Sequence, residues 1–367
     1  MNTAPLFRPF HSDKLQLDNR VVMAPMTRGF SPGNIPGDDV AEYYRRRAAG
    51  GVGLIITEGT GIDHPASVSG AAIPVFHGEQ ALAGWKKVVD AVHAEGGKIA
   101  PQLWHVGMAR NVGDEPNPSA QPVGPSGFNL KGELVGEPLS ENEIADLIQA
   151  YAQAAADAKK IGFDAIELHG AHGYLLDQFL WEVTNRRTDR YGGDLAGRAT
   201  FAVEVVRACR AAVGEDYPII FRYSQWKMYD YGARLAQTPE ELGQLLGLLT
   251  DAGVDLFHAS TRRFWEPEFA GSELNLAGWT QKLTGKPTIS VGSVGLQAEF
   301  TPGAAQTEET DPTAHLDELL HKLEQNEFDL IAIGRALLSD PEWPNKVREQ
   351  RSDDIHMFSR EALQTLV

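Results

Sequence analysis

The sequence is poor in cysteine and in basic residues. Its one cysteine, Cys209, excludes a disulfide within the chain and any metal cluster held by cysteine thiolates. The 33 Lys and Arg residues are outnumbered by 50 Asp and Glu, so the net charge is −17. This charge argues against nucleic acid or an anionic membrane as the main partner, because both repel an acidic protein. Any anionic ligand must therefore be held by a few local cations.

Long apolar segments are also missing. No stretch approaches the roughly 20 apolar residues of a membrane-spanning helix, and the first residues, MNTAPLFRPF, lack the apolar core of a signal peptide. Because 42% of the residues are hydrophobic, the chain can still fill a large core, which excludes a disordered polymer. We expect a soluble, cytoplasmic protein with no membrane partner.

Eight short apolar runs recur along the chain and alternate with helical patterns. The runs are Val21–Met23, Gly53–Thr57, Ile99–Leu103, Ala165–Leu168, Ile219–Phe221, Leu256–Ala259, Thr288–Val291 and Leu330–Ile333. Several are nearly continuous in Val, Ile and Leu, as expected for parallel strands buried on both faces. The clearest helical patterns cover Glu79–Glu95, Glu141–Ile161, Ala196–Val213 and Glu240–Ala252. The alternation predicts an α/β protein with a single (β/α)8 TIM-barrel domain over residues 1–367.

A doubly wound parallel sheet is the alternative architecture. Such a sheet usually carries a glycine-rich fingerprint after its first strand, and the sequence at that position is APMTRGF. The barrel is therefore the better match to the chain.

Two segments exceed the plain repeat of strand and helix. Gly107–Leu139 follows the third run and is too long for an ordinary loop, so we expect a lid-like insertion over the barrel mouth. Gln297–Asp311 follows the seventh run and is acidic and rich in Thr and Ala. It predicts a surface excursion.

Polar residues and glycines follow nearly every apolar run. They are Pro25, Met26, Thr27 and Arg28; Glu58 and Gly59; Gln102, Trp104 and His105; His169, His172 and Tyr174; Arg222; Ser260, Thr261 and Arg262; Gly292 and Ser293; Gly334 and Arg335. In a (β/α)8 barrel the active site lies at the carboxyl ends of the strands. The sequence therefore predicts an active site at this rim.

The ends of the seventh and eighth runs favour an anion. Glycines there allow backbone N–H groups to approach a phosphate, and Arg335 adds a cation. The alternative is a glycine turn beside a solvated arginine.

The segment HGAHGY after the fourth run favours chemistry on an oxygen. His169 and His172 can each donate a hydrogen bond to one oxygen, which stabilises negative charge that develops there. Tyr174 has an ordinary pKa near ~10 and can act as an acid. This set suits reduction of an activated carbonyl compound. Two alternatives stay open: core histidines, or two ligands of a metal with Glu167 as the nearest carboxylate.

Six motifs occur in the order and strand positions of one known family. They are NRVVMAPMTR, GLIITEGT, PQLWHVG, IELHGAHGYLLDQFL followed by NRRTDRYGG, FRYS, and LIAIGRALL. From about Leu6 to about Arg348 the chain resembles the old yellow enzyme family of FMN-dependent ene-reductases. The family fold is a (β/α)8 barrel.

The resemblance implies FMN as the bound cofactor. It implies FMN contacts for Pro25, Met26, Thr27, Gly59, Gln102, Arg222, Gly292, Ser293, Gly334 and Arg335. Arg335 would hold the phosphate with the neighbouring backbone, Arg222 and Gln102 would meet the pyrimidine edge of the flavin, and Thr27 would tune its redox potential through a hydrogen bond.

The resemblance also implies the reaction. NADPH or NADH reduces FMN, and a small-molecule α,β-unsaturated carbonyl compound or nitroalkene then receives hydride at Cβ in a ping-pong cycle. His169 and His172 would bind the substrate oxygen, Tyr174 would protonate Cα, and Trp104 would form a pocket wall. No metal is expected, and a monomer or homodimer is expected. The alternative function is a metal-dependent barrel hydrolase that uses the two histidines.

Three aromatic residues are left unassigned by this comparison. Trp226 follows Arg222 and lies either inside or outside the pocket. Phe264 and Trp265 follow the sixth run and either cover the flavin or pack on neighbouring loops.

Overall fold

The computed structural model describes residues 2–297 and 311–367, and its centre is a closed barrel of eight parallel strands. The strands are β1 Val21–Met23, β2 Leu54–Gly61, β3 Lys98–Trp104, β4 Ile166–His172, β5 Ile219–Lys227, β6 Leu256–Ser260, β7 Thr288–Val291 and β8 Leu330–Ile333. Each predicted run forms one strand, and pairing of Ile331 with Val21 closes the barrel between β8 and β1. The predicted (β/α)8 barrel is confirmed.

Helices surround the barrel on the outside. The outer helices are α1 Asp38–Ala49, α2 Glu79–Ala94, α3 Glu141–Ile161, α4 Leu195–Val213, α5 Pro239–Ala252, α6 Leu276–Thr284, α7 Leu316–Glu324 and α8 Trp343–Arg348. Shorter helices cover Ala4–Phe7, Leu175–Leu180 and Arg335–Ser339, and 3-10 turns cover Pro32–Asn34, Gly107–Ala109, Ser352–Asp354 and Arg360–Leu363. No helix in the described ranges is long and apolar enough to cross a bilayer.

Local capping fixes where the predicted helices begin and end. At the start of α3, the Glu143 backbone N–H donates to the Ser140 hydroxyl and the Ser140 backbone N–H donates to the Glu143 carboxylate. The helix ends where Gly162 adopts a φ of +100°, a left-handed conformation that glycine reaches without strain. These two features place α3 at the bounds predicted from the sequence.

The core has an inner and an outer layer. Inside the barrel, buried side chains such as Leu54, Ile220 and Ile289 form one cluster with Phe10 and Leu17. The last two residues belong to a short antiparallel hairpin in which Phe10 pairs with Leu17. The outer layer packs the strands against the helices. The apolar inner cluster fills the barrel next to the hairpin, and the polar residues gather at the carboxyl ends of the strands.

The two predicted excursions have different outcomes. The segment Gly107–Leu139 is held by Arg110, which is buried and donates to several backbone carbonyl groups, including those of Asn117 and Ala120. None of its residues lines the cavity described below, so its action as a lid stays a prediction. The second excursion was predicted at Gln297–Asp311, and residues 298–310 lie outside the described residues.

Candidate active site

A cavity of about 440 Å³ opens at the carboxyl ends of the strands. This volume lies in the range of small-molecule and cofactor sites. The predicted site residues that line it are Pro25, Met26, Thr27, His172, Tyr174, Arg222, Gly292, Ser293, Gly334 and Arg335. The remaining four, Gly59, Gln102, Trp104 and His169, lie on the adjacent strand ends of β2, β3 and β4. The structure thus brings together residues from positions 25 to 335.

The HGAHGY segment folds into a tight turn at the end of β4. The register with β5 shifts between Gly170 and His172, which forms an irregularity of the kind often found beside active sites. His172 and Gly173 follow with φ values of +66° and +85°. The turn brings the ring centroids of His169 and His172 to 5.2 Å and those of His169 and Tyr174 to 5.0 Å.

Burial sets the protonation of these three side chains. It lowers the pKa values of His169 and His172 well below the usual range, and the nearby Arg222 guanidinium lowers them further. Burial also raises the pKa of Tyr174 to about 12. The Ala171 N–H points at His169 Nδ1 across 3.4 Å, so the imidazole proton of His169 is on Nε2. At neutral pH the turn therefore carries two neutral imidazoles and a protonated phenol.

Trp104 forms a wall beside this turn. Its ring meets Tyr174 edge to face at 4.9 Å and stacks at 6.4 Å from His169. The indole also lies against Gly59, where an added Cβ would come within 2.6 Å of it. A side chain at position 59 would displace the tryptophan.

A buried polar chain joins three strands beneath the cavity. Gln102 Nε2 donates to Glu167 Oε1 at 2.7 Å, and His258 Nδ1 lies 2.6 Å from Glu167 Oε2. Arg222 is also buried, and its Nε has no partner among the described residues. Neither Glu167 nor His258 was among the predicted FMN or substrate contacts, and Glu167 was considered only as a metal ligand. The only sequence clue to them is a polar residue inside an otherwise apolar run.

The alternative use of Glu167 as a metal ligand finds no support. Both of its oxygens accept hydrogen bonds from Gln102 and His258. Within residues 2–297 and 311–367, no group of three or more His, Cys, Asp or Glu has the geometry to hold a metal. In that part of the chain the pair His169 and His172 therefore has no third His, Cys, Asp or Glu placed to complete a metal site.

The ends of β7 and β8 form the other end of the cavity. Gly292 has a φ of +145°, and a Cβ there would lie 2.8 Å from the backbone carbon of Arg262. Ser293 follows with a φ of +58°, and its hydroxyl donates to the Arg262 carbonyl at 3.0 Å. Gly334 and Arg335 face the same cavity from β8. The backbone here can adopt its shape only with glycine at position 292.

A buried carboxyl group holds the loop after β1. The Arg28 and Gly29 backbone N–H groups donate to Glu58 Oε2 at 2.8 and 3.1 Å. Burial raises the pKa of Glu58 to about 7, although these two hydrogen bonds oppose the rise. Glu58 thus fixes the backbone next to Thr27, a role that the sequence pattern did not predict.

The structure places the three unassigned aromatic residues. Trp226 lines the cavity and stacks on His172, with ring centroids 4.3 Å apart. Phe264 is buried, and Trp265 stacks on His315 at 3.6 Å. Neither Phe264 nor Trp265 lines the cavity, so both pack on neighbouring segments.

Comparison with known proteins agrees with this geometry. The family model of the NADH:flavin oxidoreductase / NADH oxidase family matches residues 5–354. An NADH oxidase of Thermoanaerobacter brockii is 35% identical over 95% of this chain and 52% of its own length. The chain thus spans about half the length of this curated relative.

Two solved structures share the whole barrel. Morphinone reductase in complex with tetrahydroNAD is 30% identical, covers 98% of this chain and 93% of its own, and superposes with a TM-score of 0.81. The old yellow enzyme homologue from Zymomonas mobilis is 25% identical, covers 98% and 96% of the two chains, and has a TM-score of 0.79. The chain therefore belongs to the NADH:flavin oxidoreductase / NADH oxidase family, the old yellow enzyme family that its six motifs predicted.

Proposed function

We propose that this protein is an FMN-dependent ene-reductase that acts on α,β-unsaturated carbonyl compounds or nitroalkenes. The observation that carries the proposal is the turn at the end of β4. It places the neutral imidazole of His169 5.2 Å from that of His172 and 5.0 Å from the protonated phenol of Tyr174, at a cavity that also holds a buried arginine. Two donors to one oxygen beside an acid suit addition of hydride and proton across an activated double bond.

The residues around the cavity fit FMN. The Gly292 backbone lies in a cradle that a Cβ would fill, and the neighbouring N–H groups with Arg335 suit a phosphate. At the other end, the Nε of buried Arg222, which has no partner within residues 2–297 and 311–367, suits the pyrimidine edge of a flavin. The chemistry that bound FMN supplies is two-electron transfer of a hydride from NADPH or NADH to the β carbon of an activated alkene.

Further contacts to the ring come from the strand ends. Pro25 and Met26 after β1 and Gly59 in β2 would line the ring, and Gln102 would meet its pyrimidine edge through the amide. The Thr27 hydroxyl would donate to the flavin carbonyl near the reactive nitrogen and so tune the redox potential.

The substrate oxygen would lie between the two histidines. One N–H from His169 and one from His172 would bind the carbonyl or nitro oxygen and stabilise the negative charge that forms on it. The Tyr174 hydroxyl would deliver a proton to Cα from the side opposite the flavin. Trp104 and Trp226 would enclose the substrate from two sides. The similar solved structure named morphinone reductase supports a reductase function for this chain.

The visible absorption spectrum of the purified protein tests the proposal. We expect flavin bands that bleach under anaerobic NADPH and return when cyclohexenone is added. A colourless protein that takes up no added FMN would refute the cofactor. If NADPH bleaches the flavin bands but they return only with oxygen and not with cyclohexenone, the proposal that the enzyme reduces activated alkenes would be refuted. Treatment with a chelator is the matched control and leaves the activity unchanged.

A further inference from the structure

We propose that Ser260 is a positioning residue that holds His172 in the tautomer with its proton on Nδ1, so that His172 donates to the substrate oxygen through that atom. The inference rests on the proposed function, because it concerns the same oxygen-binding site. It names a residue and an atom that the family resemblance does not supply.

The proton on the Ser260 hydroxyl decides the tautomer. Ser260 ends β6, is 2% exposed, and has its Oγ 2.7 Å from His172 Nε2. Arg222 Nη2, which can only donate, reaches the same oxygen at 3.4 Å. Among the described residues, His172 Nε2 is therefore the acceptor within reach of the serine proton. If His172 donated instead, a buried hydroxyl proton would be left unpaired, which is costly.

The contacts around His172 fix its ring in this orientation. Trp226 stacks on the imidazole, and its own Nε1 donates to the Ser260 carbonyl at 3.1 Å. The His172 backbone N–H donates to the Ser224 hydroxyl at 3.0 Å. The ring cannot turn Nε2 toward the cavity without breaking the bond to Ser260 and losing the stacking. Nδ1 has no partner among the described residues, and His172 lines the cavity.

The two histidines are therefore donors through different atoms. His169 receives the Ala171 N–H at Nδ1 and so carries its proton on Nε2. His172 receives the Ser260 hydroxyl at Nε2 and so carries its proton on Nδ1. Because burial keeps both rings neutral, each has one proton, and the bond on the far side of each ring determines where that proton is.

The direct test is long-range 1H–15N correlation NMR of the protein labelled at histidine nitrogens. A His172→Asn variant assigns the signal of this ring among the eleven histidines. We expect wild-type His172 to show a protonated Nδ1. A protonated Nε2 in the wild type would overturn the inference. The measurement works on both the FMN-free and the FMN-loaded protein, so a failure to bind FMN would refute the proposed function and leave the tautomer readable.

Variants at Ser260 supply the second test. Ser260→Ala removes the donor, so we expect the Nδ1–H signal to be lost or mixed and the affinity for 4-hydroxybenzaldehyde, a phenol that mimics the enolate oxygen, to fall about tenfold. Ser260→Thr keeps the hydroxyl and should retain both the signal and the affinity. FMN affinity, measured from free flavin fluorescence, should stay within about twofold in both. Unchanged tautomer and phenol affinity in Ser260→Ala would overturn the inference.

Discussion

Single residues at this site owe their chemistry to burial. The same loss of solvent that keeps His169 and His172 neutral keeps Tyr174 protonated to about pH 12. A neutral imidazole has one donor and one acceptor nitrogen, so its tautomer decides which atom can donate to a ligand. A phenol that holds its proton across physiological pH is available as an acid at every turnover.

The proposed role of Tyr174 as an acid predicts different effects of its removal on the two half-reactions. Tyr174→Phe should slow reoxidation of the reduced flavin by cyclohexenone by about 100-fold or more, because the proton donor is lost. Reduction of the flavin by NADPH needs no such proton and should change little. Stopped-flow absorbance measures the two half-reactions separately. If the two half-reactions were slowed equally, Tyr174 would not be the proton donor to the alkene.

The proposed binding of the substrate oxygen by His169 and His172 gives a second prediction. His169→Ala combined with His172→Ala should weaken binding of 4-hydroxybenzaldehyde by at least about tenfold, since both donors are gone. FMN should remain bound, because neither imidazole is assigned to it. Optical titration with the phenol measures the affinity, and the flavin absorbance of the same sample is the control. Phenol affinity equal to that of the wild type would exclude the oxyanion assignment.

At the scale of elements, the sequence predicts where strands begin better than where they end. The apolar run Ile219–Phe221 starts β5, but the strand continues to Lys227 through Arg222 and Ser224. Lys227 stays buried there because it has a charged partner far along the chain: its Nζ lies 3.0 Å from Asp177 Oδ1. Hydrophobic periodicity cannot show such partners. The first residues of each strand form a continuous apolar run, because both faces of a parallel strand in a barrel are buried. The sequence therefore shows where the strands begin.

Hydrophobic periodicity and motifs also explain which residues of the site could be predicted from the sequence and which could not. Residues at strand ends that we propose to contact ligand, such as His169 and Arg335, stand out in motifs. Residues that act on other side chains do not, because Glu167 meets His258 across 91 positions of sequence and Ser260 meets His172 across 88. Only the closed barrel brings them together.

The backbone conformation of the turn after β7 predicts how a substitution there affects FMN binding. Gly292→Ala should weaken FMN binding by at least about tenfold, because a φ of +145° is strained for alanine and the new Cβ would meet the Arg262 backbone at 2.8 Å. Ser293→Gly is the matched control: its φ of +58° suits glycine and the backbone N–H is kept. That variant should bind FMN within about threefold of wild type. Equilibrium dialysis with flavin fluorescence measures both, and similar affinities in the two variants would place the phosphate elsewhere.

Across the whole molecule, the apolar core and the buried polar groups lie toward opposite ends of the barrel. The end next to the hairpin holds the apolar inner cluster, whereas Glu58, Glu167 and Asp177 are buried toward the other end. Buried carboxyl groups are costly when ionised, so this end should make folding depend on pH.

Glu58 shows the sign of that dependence. Its pKa is raised to about 7 in the folded protein, above its ordinary value in the unfolded chain. Between about pH 4.5 and pH 7 the folded state therefore binds more protons than the unfolded state, and this group's contribution to stability falls as pH rises. The buried histidines act in the opposite sense, because their lowered pKa values make the folded state bind fewer protons.

A comparison of variants isolates the contribution of Glu58. Glu58→Gln removes a proton-linked term of up to about 3 kcal/mol, so its free energy of unfolding, relative to wild type, should increase from pH 5 to pH 8. Glu215→Gln, at an exposed position, is the control and should follow the wild-type curve. Urea unfolding followed by circular dichroism at pH 5, 6, 7 and 8 gives the values. A difference between Glu58→Gln and wild type that stays constant across these pH values would mean that Glu58 is ionised throughout, and that the Arg28 and Gly29 N–H groups outweigh its burial.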